Sequence, residues 1–273
     1  MGNGVIIYQG PSVLDPSAEI VCIVTGTDPA KKSTANLKTG NMMGSWILRV
    51  DVPPHVAARN GLDRGVCGDC KHRRRCILCG LFVESCECTE PVFKRSCYVL
   101  VHNAPRSVWQ CFTDGSGYRV ATDEDREQIR SSVLRLGSYG DPAMVPIHVW
   151  QGIMPNRRTG YTHQWRRPEA QALRPYAMAS VDTPQEAQEA RALGWRYFRV
   201  RRADDPLLDR EFACPATPEG GDRLQCVDCR ACAGNPRGRG GNVAIVVHGS
   251  GKGAFSRLPV ITVDTLVRKI EPA

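Results

Sequence analysis

The distribution of the thirteen cysteines constrains this 273-residue chain more than any other feature of its sequence. Seven of them fall between residues 67 and 97, and four fall between residues 214 and 232. A chain of this length can bury a core without disulfides, and clustered cysteines in a reducing compartment usually bind metal. The cysteines therefore predict metal sites built into a folded chain.

The C-terminal cysteine set combines Cys226, Cys229 and Cys232, at successive x2 spacings, with the upstream pair Cys214-Pro215. Tandem x2 spacing with a remote Cys-Pro is typical of ferredoxin-type ligation, because each thiolate of a [4Fe–4S] cluster takes its own iron. Four thiolates are also a common structural zinc set. The spacing predicts a metal site, with iron–sulfur favoured over zinc.

The N-terminal cysteines divide naturally into two groups. Cys76-x2-Cys79 and Cys86-x-Cys88, with Gly80 for the turn, predict a small closed zinc knuckle. The remaining thiols belong to Cys67, Cys70 and Cys97. Three thiolates on a [4Fe–4S] cluster would leave one iron open for a substrate or cofactor.

Two alternatives to this open site remain. His72 or His102 can supply a fourth ligand and close it. The same cysteines can also be divided into two interleaved zinc sites of four ligands each.

Charge and hydropathy limit the classes of partner and the cellular compartment that we expect for this chain. The chain has 36 basic and 28 acidic residues, a net charge of +8, which favours nucleic acids or phosphorylated small molecules as partners. Its apolar runs are far shorter than the ~20 residues of a membrane helix, and its N-terminus lacks the pattern of a signal peptide. We therefore expect a cytoplasmic protein without membrane contact. The sequence predicts no oligomeric state.

Alternating strand and helix signals between residues 120 and 250 predict the fold class. Strands are expected at 133–138, 160–163, 177–181, 195–200 and 242–248, and further candidates lie at 5–8, 20–25, 45–50 and 97–101. Thr183, Pro184 and Glu186 form the capping box of a helix that Gly194 ends. The pattern predicts a single α/β domain over residues 1–273, with a parallel (β/α) barrel-like sheet, complete or distorted. A doubly wound open sheet is the alternative. Residues 67–97 and 214–232 would be cysteine-rich insertions.

Polar residues follow several of the predicted strands, where the functional face of a parallel α/β protein lies. They are Ser138, Tyr139, Asp141, His163, Gln164, Ser180, Asp182, Arg199, Arg201, His248 and Ser250. Of these, Asp141, His163 and His248 are the candidate catalytic residues. The loop Gly249-Ser-Gly-Lys-Gly253 departs from the P-loop pattern, yet Gly249, Gly251 and Lys252 are candidates for holding a phosphate.

Basic tracts next to aromatic residues are the sequence features that favour nucleic acid. They occur at 71–75, 157–158, 166–167, 199–202 and 237–239, near Trp165, Trp195, Tyr197 and Phe198. Aromatic rings can stack on bases while basic side chains hold phosphates. A nucleic-acid groove is therefore one interpretation, and an ordinary solvated surface is the other.

A set of motifs spread over most of the chain resembles a family of phage-encoded proteins of unknown function. The motifs are Asn36-Leu-Lys-Thr-Gly40, Ser45-Trp-Ile-Leu-Arg49, Cys67-Gly-Asp-Cys70, Ser96-Cys-Tyr-Val99, Arg135-Leu-Gly-Ser-Tyr-Gly-Asp-Pro142, Gly160-Tyr-Thr-His-Gln-Trp165 and Ala179-Ser-Val-Asp-Thr-Pro184. That family is similar in turn to phage proteins with a radical-SAM-like cysteine pattern in a β/α barrel. The resemblance implies a phage accessory protein and S-adenosylmethionine as a cofactor. The radical-SAM signature Cys-x3-Cys-x2-Cys is absent here.

Two functional hypotheses follow. The first is an iron–sulfur protein with an open cluster at Cys67, Cys70 and Cys97 and an auxiliary cluster at the C-terminal set, a radical-SAM-like enzyme that modifies a nucleotide or nucleic acid. The second is a non-catalytic nucleic-acid-binding protein stapled by zinc.

Overall fold

The computed structural model describes residues 2–28, 30, 38–115, 117–222, 224–235, 240–249 and 251–255. The strands in these residues are β1 (Gly4–Pro11), β2 (Glu19–Thr25), β3 (Met43–Arg49), β4 (Arg75–Cys76), β5 (Phe93–Lys94), β6 (Arg119–Val120), β7 (Val133–Tyr139), β8 (Arg157–Thr162), β9 (Met178–Val181), β10 (Tyr197–Arg201), β11 (Glu211–Ala213) and β12 (Asn242–Val246). The helices are α1 (Pro54–Asn60), α2 (Arg64–Cys67), α3 (Ala104–Thr113), α4 (Asp123–Ser131), α5 (Ile147–Ile153), α6 (Pro184–Ala192), α7 (Cys226–Cys229) and α8 (Lys252–Phe255).

One mostly parallel sheet of ten strands organises the mixed α/β fold. Its order is β11-β12-β10-β9-β8-β7-β3-β2-β1-β6, and β4 and β5 form a separate hairpin. From β3 to β11 every neighbouring pair is parallel. The prediction of an α/β fold with a parallel sheet is therefore confirmed. The terminal strands β11 and β6 do not pair in the described residues, and a barrel stays a prediction.

The first three strands depart from the parallel pattern. β1 pairs antiparallel with β2, and β2 pairs antiparallel with β3. For β1 and β2 the short connection, residues 12–18, explains this, since antiparallel neighbours need only a turn whereas parallel neighbours need a crossover of a dozen or more residues. β2 is buried along nearly its whole length, as expected of a strand inside a covered sheet.

The two faces of the parallel strands have different surroundings. On one face α4 packs on β7, and α6 packs on β9 and β10. Leu134 and Leu136 of β7 are fully buried. Alternate residues of the same strand, Arg135 and Tyr139, line a cavity. Because successive side chains of a strand point to opposite faces, the cavity lies on the face away from these helices.

The C-terminal half of the chain follows the sequence prediction closely. The predicted strands correspond to β7, β8, β9, β10 and β12. Thr183 and Glu186 form the expected reciprocal capping box, with Pro184 as the first helical residue of α6. These elements were predictable because each combines a periodic pattern of apolar residues with a residue that ends the helix or strand.

The strand predicted at 97–101 is wrong, because no strand forms there. The N–H of Cys97 donates to the carbonyl of His72, and the guanidinium of Arg95 donates to the carbonyl of Val99 at 2.7 Å. Tyr98 and Leu100 are about half exposed, so the alternation of apolar residues does not reflect a core. The segment instead carries Cys97 to the cavity.

None of the helices within the described residues is long and apolar enough to cross a lipid bilayer.

Candidate metal centre

All thirteen cysteine thiols are free, and four of them form a compact group. The sulfur atoms of Cys76, Cys79, Cys86 and Cys88 lie within 4.8 Å of one another, so these residues can hold a metal ion. The Sγ atoms of Cys76 and Cys88 are 3.9 Å apart, and those of Cys79 and Cys86 are 3.6 Å apart. The predicted knuckle is therefore confirmed as a group that can bind metal.

The local backbone conformation of the knuckle favours the thiolate form of Cys76. Gly80 adopts φ 75° and donates its N–H to the carbonyl of Cys76 at 2.9 Å, which closes the turn in a conformation that favours glycine. Burial raises the pKa of the Cys76 thiol, but hydrogen bonds from the backbone N–H groups of Cys79 and Leu78 outweigh it and lower that pKa to about 6. Donors aimed at sulfur stabilise the thiolate that a metal needs.

The other two cysteine sets meet in a single cavity of about 800 Å³. Its lining includes Cys67, Cys70 and Cys97 of the first set and Cys214, Cys226, Cys229 and Cys232 of the C-terminal set. Residues of β7, β8, β10 and β12 form its wall. Neither set is as tightly grouped as the knuckle. Among the described residues, only the sulfur atoms of the knuckle lie close enough together for a single-metal site.

A buried arginine fixes the loop that carries Cys67 and Cys70. The Arg73 guanidinium donates to the carbonyls of Gly68 at 3.1 Å and Gly61 at 2.6 Å. It also pairs with Asp63 at 2.8 Å and with Glu84 at 2.7 Å. Glu84 lies between Cys79 and Cys86, so one side chain connects the knuckle to the first set.

The amide of Gln164 holds the other side of this loop. Its side-chain N–H donates to the carbonyl of Cys67 at 3.0 Å, and its carbonyl accepts from the N–H of Asp69 at 3.3 Å. A Cβ at Gly68 would lie 2.6 Å from the Gln164 amide, and Gly68 also has φ 56°. Glycine is therefore required between the two cysteines for both space and conformation.

Neither predicted histidine is placed to be the fourth ligand of the first set. His72 lines the cavity, but its Nδ1 lies 2.9 Å from the Ser96 hydroxyl and its Nε2 lies 3.1 Å from a carboxylate oxygen of Asp182. Both ring nitrogens are thus engaged. His102 is exposed, with its ring 5.3 Å from that of His55, and it does not line the cavity.

Positive charge accompanies the first set. Burial raises the pKa of the thiols of Cys67, Cys70 and Cys97, so without metal they remain protonated. Arg95 lies close enough to interact electrostatically with Cys67 and Cys97, and this interaction favours their thiolates. A metal would supply further positive charge at the same place.

The C-terminal set is assembled from three segments. Cys214 follows β11, and its N–H donates to the carbonyl of Ala244 in β12 at 2.8 Å. Cys226 begins α7, and its N–H donates to the carbonyl of Lys38 at 3.0 Å. The carbonyl of Cys232 accepts from the N–H of Gly160 in β8 at 3.0 Å. The parallel sheet therefore brings these thiols together.

A hydrogen bond connects the surroundings of the two cavity sets. Tyr98, next to Cys97, accepts a hydrogen bond from the guanidinium of Arg135 at 2.7 Å. Arg135 also interacts electrostatically with Cys226 and Cys232. Since Arg135 projects from β7 into the cavity, it lies between the two sets.

Two of the candidate catalytic residues are neighbours in the cavity. The carboxylate of Asp141 accepts hydrogen bonds from the Thr162 hydroxyl and the His163 N–H, both at 2.7 Å, and from the Ala143 N–H at 3.0 Å. Burial raises the pKa of Asp141 and lowers that of His163. Asp141 thus joins the ends of β7 and β8, and the catalytic roles of both residues stay predictions.

His248 lies elsewhere along the same cavity, beside Tyr98, with its ring 6.0 Å from the phenol ring. Of the predicted phosphate-binding residues, Gly249 packs against Tyr98, and Gly251 packs against the carbonyl of Ser96. Lys252 is exposed at the start of α8. Ser250 lies outside the described residues.

The prediction that Arg199 and Arg201 line the pocket is wrong. Their neighbours Phe198 and Val200 line it instead. Arg199 is 1% exposed and pairs with Glu211 at 2.7 Å, and Arg201 donates to the carbonyls of Arg202, Ala203 and Asp205. The strand alternation places both arginines on the opposite face.

Most of the other basic tracts are internally paired as well. Lys71 bonds to Asp182 at 2.8 Å and to Glu186 at 2.6 Å. Arg166 pairs with Glu189, and Arg167 pairs with Asp69. The tract at 237–239 lies outside the described residues. The nucleic-acid groove stays a prediction, and these ion pairs do not support it.

Sequence reasoning singled out neither Arg95 nor Arg135 nor Thr159, which all line the cavity. Arg95 sits in a segment without regular structure, which no periodic pattern identifies. Arg135 lies between the buried Leu134 and Leu136, and that alternation was the available signal. Thr159 is buried like its neighbours Arg158 and Gly160, so its strand carries no such signal.

No family model matches the chain, and neither the curated proteins nor the solved structures contain a significant match to it.

Proposed function

We propose that this protein is an iron–sulfur enzyme, with a substrate-accessible cluster held by Cys67, Cys70 and Cys97 and an auxiliary cluster held by the C-terminal set. The observation that carries the proposal is that both sets line one cavity on the sheet. A cluster supplies electrons one at a time and, at an iron without a protein ligand, a coordination position. A site beside such a position is suited to radical or cluster-assisted modification of a nucleotide or nucleic acid.

The residues around the first set fit an open cluster. Both nitrogens of His72 are engaged, and the oxygens of Asp141 accept three hydrogen bonds within the chain. Within the described residues, neither His72 nor Asp141 is therefore available as a fourth ligand to the three thiolates, which lie near the guanidinium of Arg95. S-adenosylmethionine remains the cofactor that the phage-family resemblance implies for such a position, although the chain lacks the usual three-cysteine spacing.

The knuckle is proposed to hold zinc. A tetrahedral Zn²⁺ with Zn–S bonds of about 2.3 Å places its sulfur ligands about 3.8 Å apart. The observed separations of 3.9 Å and 3.6 Å agree with that geometry. The role of this metal is structural, because all four positions are taken by cysteine.

The remaining expectations belong to the same proposal. A distorted barrel would curve the sheet around the cavity. A reducing cytoplasm, in the host cell if the protein is phage-encoded, would keep the thiols available for metal.

The proposal is tested by purifying the protein without oxygen and measuring iron, acid-labile sulfide and zinc. We expect a brown protein with both iron and sulfide, together with about one zinc per chain. Cys97→Ser should lose iron but keep zinc, whereas the matched variant Cys111→Ser, outside all three sets, should retain both.

A colourless protein that contains only zinc would overturn the proposal and favour the zinc-stapled nucleic-acid-binding alternative. The open site is tested separately in a variant that lacks Cys226 and Cys229. Added S-adenosylmethionine or nucleotide should change the EPR spectrum of its reduced cluster. A spectrum that ignores every added ligand would argue for a closed site.

A further inference from the structure

Two buried hydroxyl groups in the cavity wall have no hydrogen-bond partner among the residues that the structure describes. Tyr139 of β7 is 3% exposed and Thr159 of β8 is 2% exposed, and both line the cavity. Neither the phenol oxygen nor the Thr159 Oγ1 has a partner in the described part of the chain. A buried polar group without a partner is costly, so its presence in a cavity wall indicates a ligand that completes it.

Arg135 and Thr159 are register partners on β7 and β8, and both line the cavity. The guanidinium of Arg135 donates to Tyr98, and no carboxylate in the described residues pairs with it. Arg135 lines a cavity whose described lining contains a single carboxylate, Asp141. The positive charge of Arg135 partly balances the thiolates of the C-terminal set. This role does not explain the two hydroxyl groups that lack a partner in the described residues.

Aromatic rings lie beside this cation. The ring of Tyr161 is 5.9 Å from the Arg135 guanidinium carbon and 4.4 Å from the ring of Phe198. Both rings line the cavity. A planar base can stack on such rings, while a guanidinium binds a phosphate through two parallel hydrogen bonds. The cavity volume of about 800 Å³ lies in the range of small-molecule sites.

We propose that the cavity wall formed by Arg135, Tyr139, Thr159, Tyr161 and Phe198 is a mononucleotide-binding site. Arg135 holds the phosphate, the aromatic pair contacts the base, and the two hydroxyls bond to polar atoms of the nucleoside. This inference deepens the proposed function, on which it rests for the reaction, by assigning the substrate class and the residues that bind it.

The test measures binding of AMP, GMP, CMP and UMP to anaerobically purified, metal-loaded protein by equilibrium dialysis. At least one mononucleotide should bind saturably, and its nucleoside and inorganic phosphate should each bind about tenfold more weakly or worse. Failure of all four mononucleotides, or equal binding of a dicarboxylate such as succinate, would overturn the site.

Two variants locate the site. Arg135→Gln should weaken nucleotide binding about tenfold or more, as expected for a charged hydrogen bond. The control is Arg157→Gln, at the exposed amino end of the same strand pair, which should bind normally. Thr159→Val keeps the shape of the side chain and removes a hydroxyl that has no protein partner, so the fold should persist while affinity falls several-fold. Unchanged affinity in either Arg135→Gln or Thr159→Val would overturn the proposal.

The two proposals fail separately. Iron and sulfide measured on the same samples report the clusters, and dialysis reports the nucleotide site. If the protein contains iron and sulfide but binds no mononucleotide, the nucleotide-site inference is wrong and the proposed function stands. Nucleotide binding by a protein that contains only zinc would remove the proposed function and leave the binding site standing.

Discussion

Single side chains position the cysteines of the candidate metal centre, and Arg73 is the clearest case. At 2% exposure it donates to two backbone carbonyls and pairs with two carboxylates, and so connects the knuckle to the loop of Cys67 and Cys70. A buried cation is tolerated only when its donors are satisfied and its charge is paired. Arg73 meets both conditions.

Arg73→Met should therefore lower the free energy of unfolding by about 3–5 kcal/mol, because it leaves the buried Asp63 carboxylate without its cation. Urea unfolding of the metal-loaded protein measures this. Arg74→Met is the control, since Arg74 makes one exposed hydrogen bond to the Arg59 carbonyl. Equal unfolding midpoints for the two variants would contradict the structural role of Arg73.

Arg199 supports a second prediction at this scale. Its ion pair with Glu211 has both side chains essentially buried. Arg199→Gln should cost about 3–5 kcal/mol of stability, since a buried carboxylate would remain unpaired. Thermal or urea unfolding checks this, with exposed Arg202→Gln as the control. If Arg199→Gln weakened nucleic-acid binding in a fully stable protein, the residue would instead be a contact residue.

Among the elements, the knuckle at residues 76–88 has little apolar support, because Leu78 is 65% exposed and Ile77 is 38% exposed. If it holds zinc as proposed, the metal should supply much of its stability, since binding free energy is also folding free energy in such sites. Cys79→Ser should remove about one zinc per chain and lower the melting temperature. Iron at the first set should also fall, because Glu84 of the knuckle holds Arg73. Unchanged zinc content would show that the metal lies elsewhere.

Helix α4 gives a pH-dependent prediction. Asp125 accepts from the Arg119 guanidinium and from Thr122, with which it forms the capping box at the start of the helix. The Arg119 hydrogen bond is the main cause that lowers the pKa of Asp125 to about 2. The ordinary aspartate pKa is about 3.9. The resulting stabilisation should be fully present above about pH 4 and lost as the pH falls to about 2.

Asp125→Asn should flatten this part of the stability curve, measured by urea unfolding between pH 2 and 5. Asp123→Asn, on the first turn of the same helix but without an ion pair in the described residues, is the control. A variant whose acid dependence matches that of the natural sequence would contradict the assignment.

At the scale of the whole molecule, the sheet and the cysteine segments differ in their main source of stability. Most of the sheet is supported by a large apolar core that runs from Val5 to Tyr197, and a smaller cluster packs Met178 of β9 and Val243 and Ile245 of β12 with Cys214 and Cys232. The cysteine segments at 67–97 and 214–232 are mostly turns and short elements, and cysteines within each segment lie close enough to interact electrostatically. Removing metal should therefore loosen these segments and leave the sheet folded.

Hydrogen exchange on protein with and without metal tests this separation. Amides of the two cysteine segments should lose protection after chelation, whereas β2, β7 and β9 should keep theirs. Simultaneous loss of protection in the segments and the sheet would mean that metal holds the whole fold together.

The candidate site shows which parts were predictable. Cys76, Cys79, Cys86 and Cys88 lie close in the chain, so their spacing favoured one group over the interleaved alternative, and the structure forms that group. The strand at 97–101 failed because Cys97 and Arg95 are placed by contacts to His72 and Val99, and local apolar alternation carries no information on such contacts. For the same reason the sequence does not show that both ring nitrogens of His72 are engaged, or that His102 is exposed and away from the cavity lining.

By itself the sequence determined the elements and the chemical type of the site: the parallel strands of the C-terminal half, the capping box of α6, and thiol sets suited to metal. These depend on neighbours within a few positions along the chain. Only the tertiary structure decided that Cys67, Cys97 and Cys232 share a cavity with Arg135 and Thr159, and that Arg199 turns away from it. Strand order and side-chain facing bring together residues far apart in the chain, and these contacts arise only when the sheet assembles.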